Sequence, residues 1–175
     1  KKDSVDHVNL PYPTILPNPE GYTVEAWVYR TDSGTSYMMA MYPYCCCHQQ
    51  QQCRTMGLPF TETSMRTTYP GASSLYSAVT AGIPLNEWAH VAWTYTGNCA
   101  NHGGGGNICV IPSKWIYYAN GVQTTSESRS GSVEPNTVGY QVRIGLYHSV
   151  TTDPSLNVGF GGYISAFRIS TGVRY

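Results

Sequence analysis

Runs with apolar residues at every second position recur along this chain, each bounded by turn residues. In residues 22–30, Tyr22, Val24, Ala26 and Val28 fall on one face of a strand, and Thr23, Glu25, Trp27 and Tyr29 on the other. Both faces are apolar enough for a strand in the middle of a sheet. Thr31-Asp32-Ser33-Gly34 reads as a turn, and residues 36–44 as the neighbouring strand. A second clear strand covers residues 86–97, around Trp88-Ala89-His90-Val91. Residues 114–118 and 122–125 flank Asn120-Gly121, a strong signal of a tight hairpin. Residues 75–81, 141–148 (with Gly145 inside) and 163–170 complete the set. No window of about twelve residues keeps a period of 3.6. The pattern predicts an all-β fold of eight or more strands.

Three stretches fit less well. Residues 1–20 hold Pro11, Pro13, Pro17 and Pro19, which interrupt ladders, and read as an extended arm with a short edge strand at Val8-Asn9-Leu10. Residues 45–74 combine a cysteine cluster, the glutamine tract 49–52 and weak alternation over 61–69; they read as a loop or hairpin insertion. Residues 98–113, with the glycine run 103–106, read as a second insertion. No linker divides the chain, so 21–175 is expected to be one domain.

Composition narrows the class of partner. Of 175 residues 41% are apolar and 11% charged, with ten Lys+Arg balancing ten Asp+Glu. Disorder requires low hydrophobicity and high net charge, and is excluded. No basic stripe is present to neutralise phosphates, so a nucleic-acid partner is not expected. No run approaches the ~18 apolar residues of a membrane span, and the start does not read as a signal peptide. The sequence opens at Lys1 without a Met, consistent with an upstream segment removed or lying outside it. Six cysteines in a neutral chain point to disulfides and an extracellular or virion/cell-surface setting. Buried or free thiols are the second reading. Zinc at Cys45, Cys46, Cys47, His48 and Cys53 is the third, since successive side chains of an extended chain point apart and do not easily share one ion.

Four segments, in order, resemble the laminin-G-like branch of the concanavalin-A-like lectin/glucanase superfamily. They are GYTVEAWVYR at 21–30, NEWAHVAWTYTG at 86–97, WIYYANGVQ at 115–123 and FGGYISAFRISTGVRY at 160–175. The closing segment looks like versions found in viral and phage structural proteins and large surface proteins. The resemblance implies an antiparallel jelly-roll sandwich of two sheets. Two departures stand out: Ser165-Ala166 follows Ile164 where the family often has an acidic residue, and residues 97–113 replace a short hairpin. Loops on such a scaffold carry function, so both departures bear on activity more than on fold.

The superfamily includes glycoside hydrolases, whose retaining members need two carboxyl groups about 5 Å apart. On a strand that calls for acids at i and i+2 or i+4, and Glu25, Glu62, Glu87, Glu127 and Glu134 each stand singly. No catalytic residue is therefore expected. His90 reads as a buried histidine with a satisfied partner, and no nucleophile motif supports Cys/His chemistry. The glycine run lacks the GK[ST] of a phosphate loop. The resemblance raises calcium at the sandwich rim, where Asp153 and Asn157 are the best donors; a cation that takes 6–8 oxygens fits one carboxylate poorly, and no cofactor is expected.

The 15 Tyr, with four Trp and three Phe, leave rings to spare after a core is filled. Exposed Tyr stacks on sugars and also dominates protein interfaces. Tyr12, Tyr69, Tyr76 and Tyr147, at loops or strand ends, are the candidates for ligand contact. Low charge, abundant Tyr and the virus-like closing segment rank a non-catalytic structural module first, packing with copies of itself or other subunits of a surface assembly. A glycan-binding lectin ranks second. In the structural reading the sheet edges, the arm and the 45–74 insertion make the contacts, with more than ~1,000 Å² buried in total. Cys99 and Cys109 flank the glycine run within the second insertion and are expected to pair; closing the loop 100–108 contributes about 2–3 kcal/mol. Peptide mapping without reduction should recover one linked pair of peptides, and finding both thiols free would contradict it.

Overall fold

A computed structural model describes residues 7–11, 21–43, 56–61, 64–67, 75–78, 83–96, 113–129, 140–147 and 158–175. The strands are β1 (Val8–Asn9), β2 (Tyr22–Arg30), β3 (Ser36–Pro43), β4 (Met56–Phe60), β5 (Ser64–Thr67), β6 (Leu75–Ala78), β7 (Trp88–Thr96), β8 (Ser113–Ala119), β9 (Val122–Arg129), β10 (Tyr140–Ile144), β11 (Leu146–Tyr147), β12 (Val158–Gly159) and β13 (Gly162–Thr171). One sheet runs β1-β10-β3-β4-β5-β6 and the other β13-β2-β7-β8-β9; β11 and β12 form a separate pair. All neighbouring strands are antiparallel.

The core lies between the two large sheets. Alternation in β2 turns Tyr22, Val24, Ala26 and Val28 inward, and the β7 register adds Tyr95, Trp93, Val91 and Ala89 on the same face. Trp115 and Tyr117 of β8 continue that layer. From the opposite sheet come Met38, Leu58, Phe60 and Met65, with the Phe60 ring 5.9 Å from Trp93. The predicted hairpin forms at Asn120-Gly121, both at positive φ (50° and 78°), as its turn type requires.

Three differences from the expected pattern have physical causes. Residues 36–43 do not lie beside β2; they cross to the other sheet. The crossing is pinned by Arg30, buried at the end of β2, which donates from Nη1 to the Ile83 carbonyl (3.1 Å) and from Nη2 to those of Asp32 and Gly34 (both 3.0 Å). Residues 56–61 and 64–67 are integral to the sandwich, because β4 and β5 extend the six-stranded sheet and bury Leu58, Phe60 and Met65 in the core. The short edge strand expected over 8–10 does form: β1 pairs with β10 at the sheet edge, and the Leu10 N–H reaches the Val142 carbonyl (3.0 Å). The strand expected over 141–148 breaks at Gly145 (φ 82°), whose N–H bonds Met38 O while its carbonyl accepts from Phe160. Only glycine takes that backbone without strain.

Thr96 lies opposite Lys114 where β7 and β8 end; Cys99 and Cys109 lie outside the described residues. Arg30 carries the more direct test of the fold. Arg30→Met keeps the bulk but strips donors from three carbonyls, and should cost roughly 3 kcal/mol. Urea denaturation should show a lower midpoint; a change under about 0.5 kcal/mol, the size of a neutral surface substitution, would contradict the corner role.

Candidate functional site

Thr23, Glu25, Trp27 and Tyr29, the alternate side chains of β2, face the outer side of the five-stranded sheet, and register arranges their neighbours in rows. Across β13, β2 and β7 the first row is Tyr163, Tyr29 and Trp88; the second is Ser165, Trp27 and His90. The third brings Arg168, Glu25 and Ala92 together with Tyr118 of β8. The fourth holds Ser170, Thr23, Thr94 and Ile116. Tyr29 touches both first-row neighbours, its ring centroid 5.6 Å from Trp88 and 5.9 Å from Tyr163, and Trp27 meets His90 edge-on at 5.4 Å. These rings are held by paired strands, not loops, yet stay open: Trp27 is 46% exposed, Trp88 48% and Tyr163 66%.

The third and fourth rows are covered by the chain itself. After β13 the backbone turns at Gly172 (φ 77°), and residues 172–175 fold back over the face. Thr23 fastens them, its hydroxyl donating to Gly172 O (3.0 Å) and accepting from the Arg174 N–H (3.2 Å). The Tyr175 ring sits 4.8 Å from Tyr118, and its hydroxyl donates to Glu25. Glu25, with a 3% exposed side chain, also accepts from Arg168 Nε (2.5 Å) and pairs with the Arg168 Nη2. Arg174 Nη1 lies 3.7 Å and His90 Nε2 3.5 Å from its oxygens. Burial pushes the Glu25 carboxyl up, but the Tyr175 and Arg168 hydrogen bonds and the two arginine charges outweigh it and hold it below the usual carboxylate range. Burial, with the hydrogen bond to Glu25, pushes the Tyr175 phenol up to about 12. Such a carboxylate is locked in its ionised form, the opposite of an acid that cycles a proton.

The family described as the concanavalin A-like lectin/glucanases superfamily, a laminin G type, matches residues 2–174. The chain belongs to that superfamily. No curated protein sequence matches it. Among solved structures, a native heptameric SAP-like pentraxin from Limulus polyphemus aligns over 97% of this chain and 71% of its own, at 17% identity and TM-score 0.60. Domains LG4-5 of the mouse laminin alpha1 chain align over 94% of this chain and 39% of theirs, at 13% identity and TM-score 0.63. A CBM40 of the Ruminococcus gnavus IT-sialidase, bound to alpha2,3 sialyllactose, aligns over 89% and 78%, at 14% identity and TM-score 0.61. At these identities the likeness is one of fold.

Within this superfamily domain the expected ligand residues do not form a group that the described residues display. Tyr12 and Tyr69 lie outside them, as do Asp153, Asn157, Cys45, Cys46, Cys47, Cys53, Cys99 and Cys109. Tyr76 belongs to β6, in the sheet opposite the ring face, and Tyr147 to the β11–β12 pair. His90 has a partner in Glu25, and its backbone N–H donates to Asn120 Oδ1 (2.9 Å). Among the described residues no cluster of three His, Cys, Asp or Glu side chains is arranged to hold a metal ion. The exposed rings Trp27, Trp88 and Tyr163, with the half-buried Tyr29 among them, are mid-strand or strand-end residues, and their signal was the outward half of the alternation in β2, β7 and β13.

The Glu25 cluster has a pH signature. Its folded pKa is depressed, so the stability it contributes is present above the ordinary carboxylate range and lost as pH falls through the folded value. The Tyr175 pKa is raised, so its contribution is present below about 10 and lost as pH rises toward about 12. Thermal melts of Glu25→Gln should lose much of the stabilisation that wild type gains as pH rises from below toward the ordinary carboxylate value of 4.5. Tyr175→Phe should flatten the fall above pH 10. Identical profiles in all three proteins would contradict the assignment.

Proposed function

We propose that the domain is a non-catalytic adhesion module of an extracellular or virion-surface assembly, and that it holds a glycan on the first two rows of the ring face. The carrying observation is the set of half-open rings on one rigid sheet face, Trp27, Trp88 and Tyr163, with Ser165 between them. A pyranose presents C–H edges that stack on such rings and hydroxyls that bond nearby polar groups, at little entropic cost when the rings are already fixed. The sialyllactose-bound CBM40 has the same fold and supports the reading as a precedent for sugar on this scaffold. No cofactor enters it. Glu25, fully engaged by cations and a phenol, supports the absence of glycosidase chemistry.

The structural reading, with copies of the chain or other subunits as partners, keeps one specific observation in its favour. Val173 and Tyr175 are exposed beside the same face, which widens the apolar patch toward the size of a protein contact. Two of the four edges of the large sheets favour it less: β1 is two residues long, and β13 carries a register shift between Ser165 and Arg168 with Ala166 at φ 49°, devices that discourage edge-to-edge pairing. Glycan-array binding, measured alongside sedimentation velocity, separates the two. The account expects specific glycan binding by a monomer. Trp27→Ala and Trp88→Ala should each weaken it at least tenfold, about 1.4 kcal/mol, with little change in melting temperature. A stable oligomer dissolved by the same substitutions, with no glycan bound, would place assembly first.

A further inference from the structure

We infer that the glycan taken by the ring face carries a carboxylate, seated on Arg168 and Arg174 while its ring lies against Trp27; the inference rests on the glycan reading above. Charge on this face is unequal where solvent meets it. Glu25 is 3% exposed, whereas the side chains of Arg168 and Arg174 are 52% and 42% exposed. Two guanidinium groups thus share one buried carboxylate and present their outer edges to water. Arg168 directs Nε and Nη2 to Glu25, and a guanidinium has five N–H donors in a planar fork, so donors remain on its outward edge. Arg174 reaches Ser170 Oγ (3.3 Å) and lies 3.7 Å from Glu25 without a close bond to it. A planar carboxylate suits such forks, which accept it in bidentate fashion.

The position of the pair relative to the rings completes the argument. Arg168 stands opposite Glu25, and Trp27 is two residues along β2 on the same face, making Arg168 and Trp27 diagonal neighbours across an antiparallel pair. Diagonal neighbours are about 7–8 Å apart between Cα atoms, within reach for long and aromatic side chains. A saccharide stacked on Trp27 can therefore place an acidic substituent over the arginines, with Ser165 at its flank. The fold-back of residues 172–175 supplies Arg174 to this cluster, so the segment that closes two rows of the face also builds its charged border. Glu25 fixes the near side of Arg168, and two guanidinium charges against one carboxylate leave the cluster with a positive excess that favours an anion over a neutral hydroxyl.

The test is a glycan array of sialylated and uronate-containing saccharides, each printed beside its carboxyl-methylated counterpart, with sulfated saccharides as a third set. The full chain should bind free acids at least tenfold better than their esters, and raising salt from 50 to 500 mM should weaken the acids more than the esters. Arg174→Gln should narrow the acid-to-ester ratio. Because Arg168→Gln alone would strand a buried carboxylate, the double variant Glu25→Gln/Arg168→Gln is the second probe, and it should also narrow the ratio while still folding. Equal binding of acids and esters, abolished by Trp27→Ala, would overturn the carboxylate inference and leave glycan recognition standing. Preference for sulfated saccharides would overturn it too. No binding to any saccharide would overturn both.

Discussion

The unbroken register between β2 and β7 is the constraint on which the rest of the molecule depends. From Tyr22 opposite Tyr95 to Tyr29 opposite Trp88, each pair commits two side chains to the same side of the sheet. Inward pairs such as Val24 with Trp93 and Ala26 with Val91 build the core, and outward pairs such as Trp27 with His90 and Tyr29 with Trp88 build the exposed face. A slip of one residue would exchange the two sets, turning Glu25 and Thr23 into the core and Val24 and Ala26 out of it. The packed core and the open ring face are thus two sides of one register.

Glu25 sits in the middle of that register and organises the half of the face that is closed. A carboxylate this buried is tolerable only with its lone pairs satisfied, and Arg168, Arg174, His90 and Tyr175 surround it. Three of the four come from the last strand and the turn-back that follows, so the charge holds the chain's closing segment against β2. The open half needs no such anchor, since cross-strand contacts already fix its rings. The division explains how a low-charge face can stay ordered at one end and available at the other.

Strand order was readable because alternation and turn chemistry agree locally: β2, β7, the Asn120-Gly121 hairpin and β13 fall close to where periodicity puts them. The crossing of β3 to the other sheet was not readable, since it depends on Arg30 reaching carbonyls of residues 32, 34 and 83, one of them 53 positions away. The break at Gly145 likewise depends on Met38 O and the Phe160 N–H, both remote in sequence. The ring face was hidden for a different reason. A strand apolar on both sides reads as doubly buried, and an outer face of half-exposed aromatics gives the same pattern. Loop tyrosines such as Tyr12 and Tyr69 are the positions a sequence offers for exposure, whereas these open rings lie on strands.

The central claim is that sugar meets protein on the outer face of the five-stranded sheet. Intermolecular NOEs between a bound saccharide from the array and the isotope-labelled domain test it most directly. The account predicts contacts from sugar C–H protons to the indole rings of Trp27 and Trp88 and the ring of Tyr163. Contacts confined to the six-stranded sheet or to connecting loops, with those three rings silent, would contradict it.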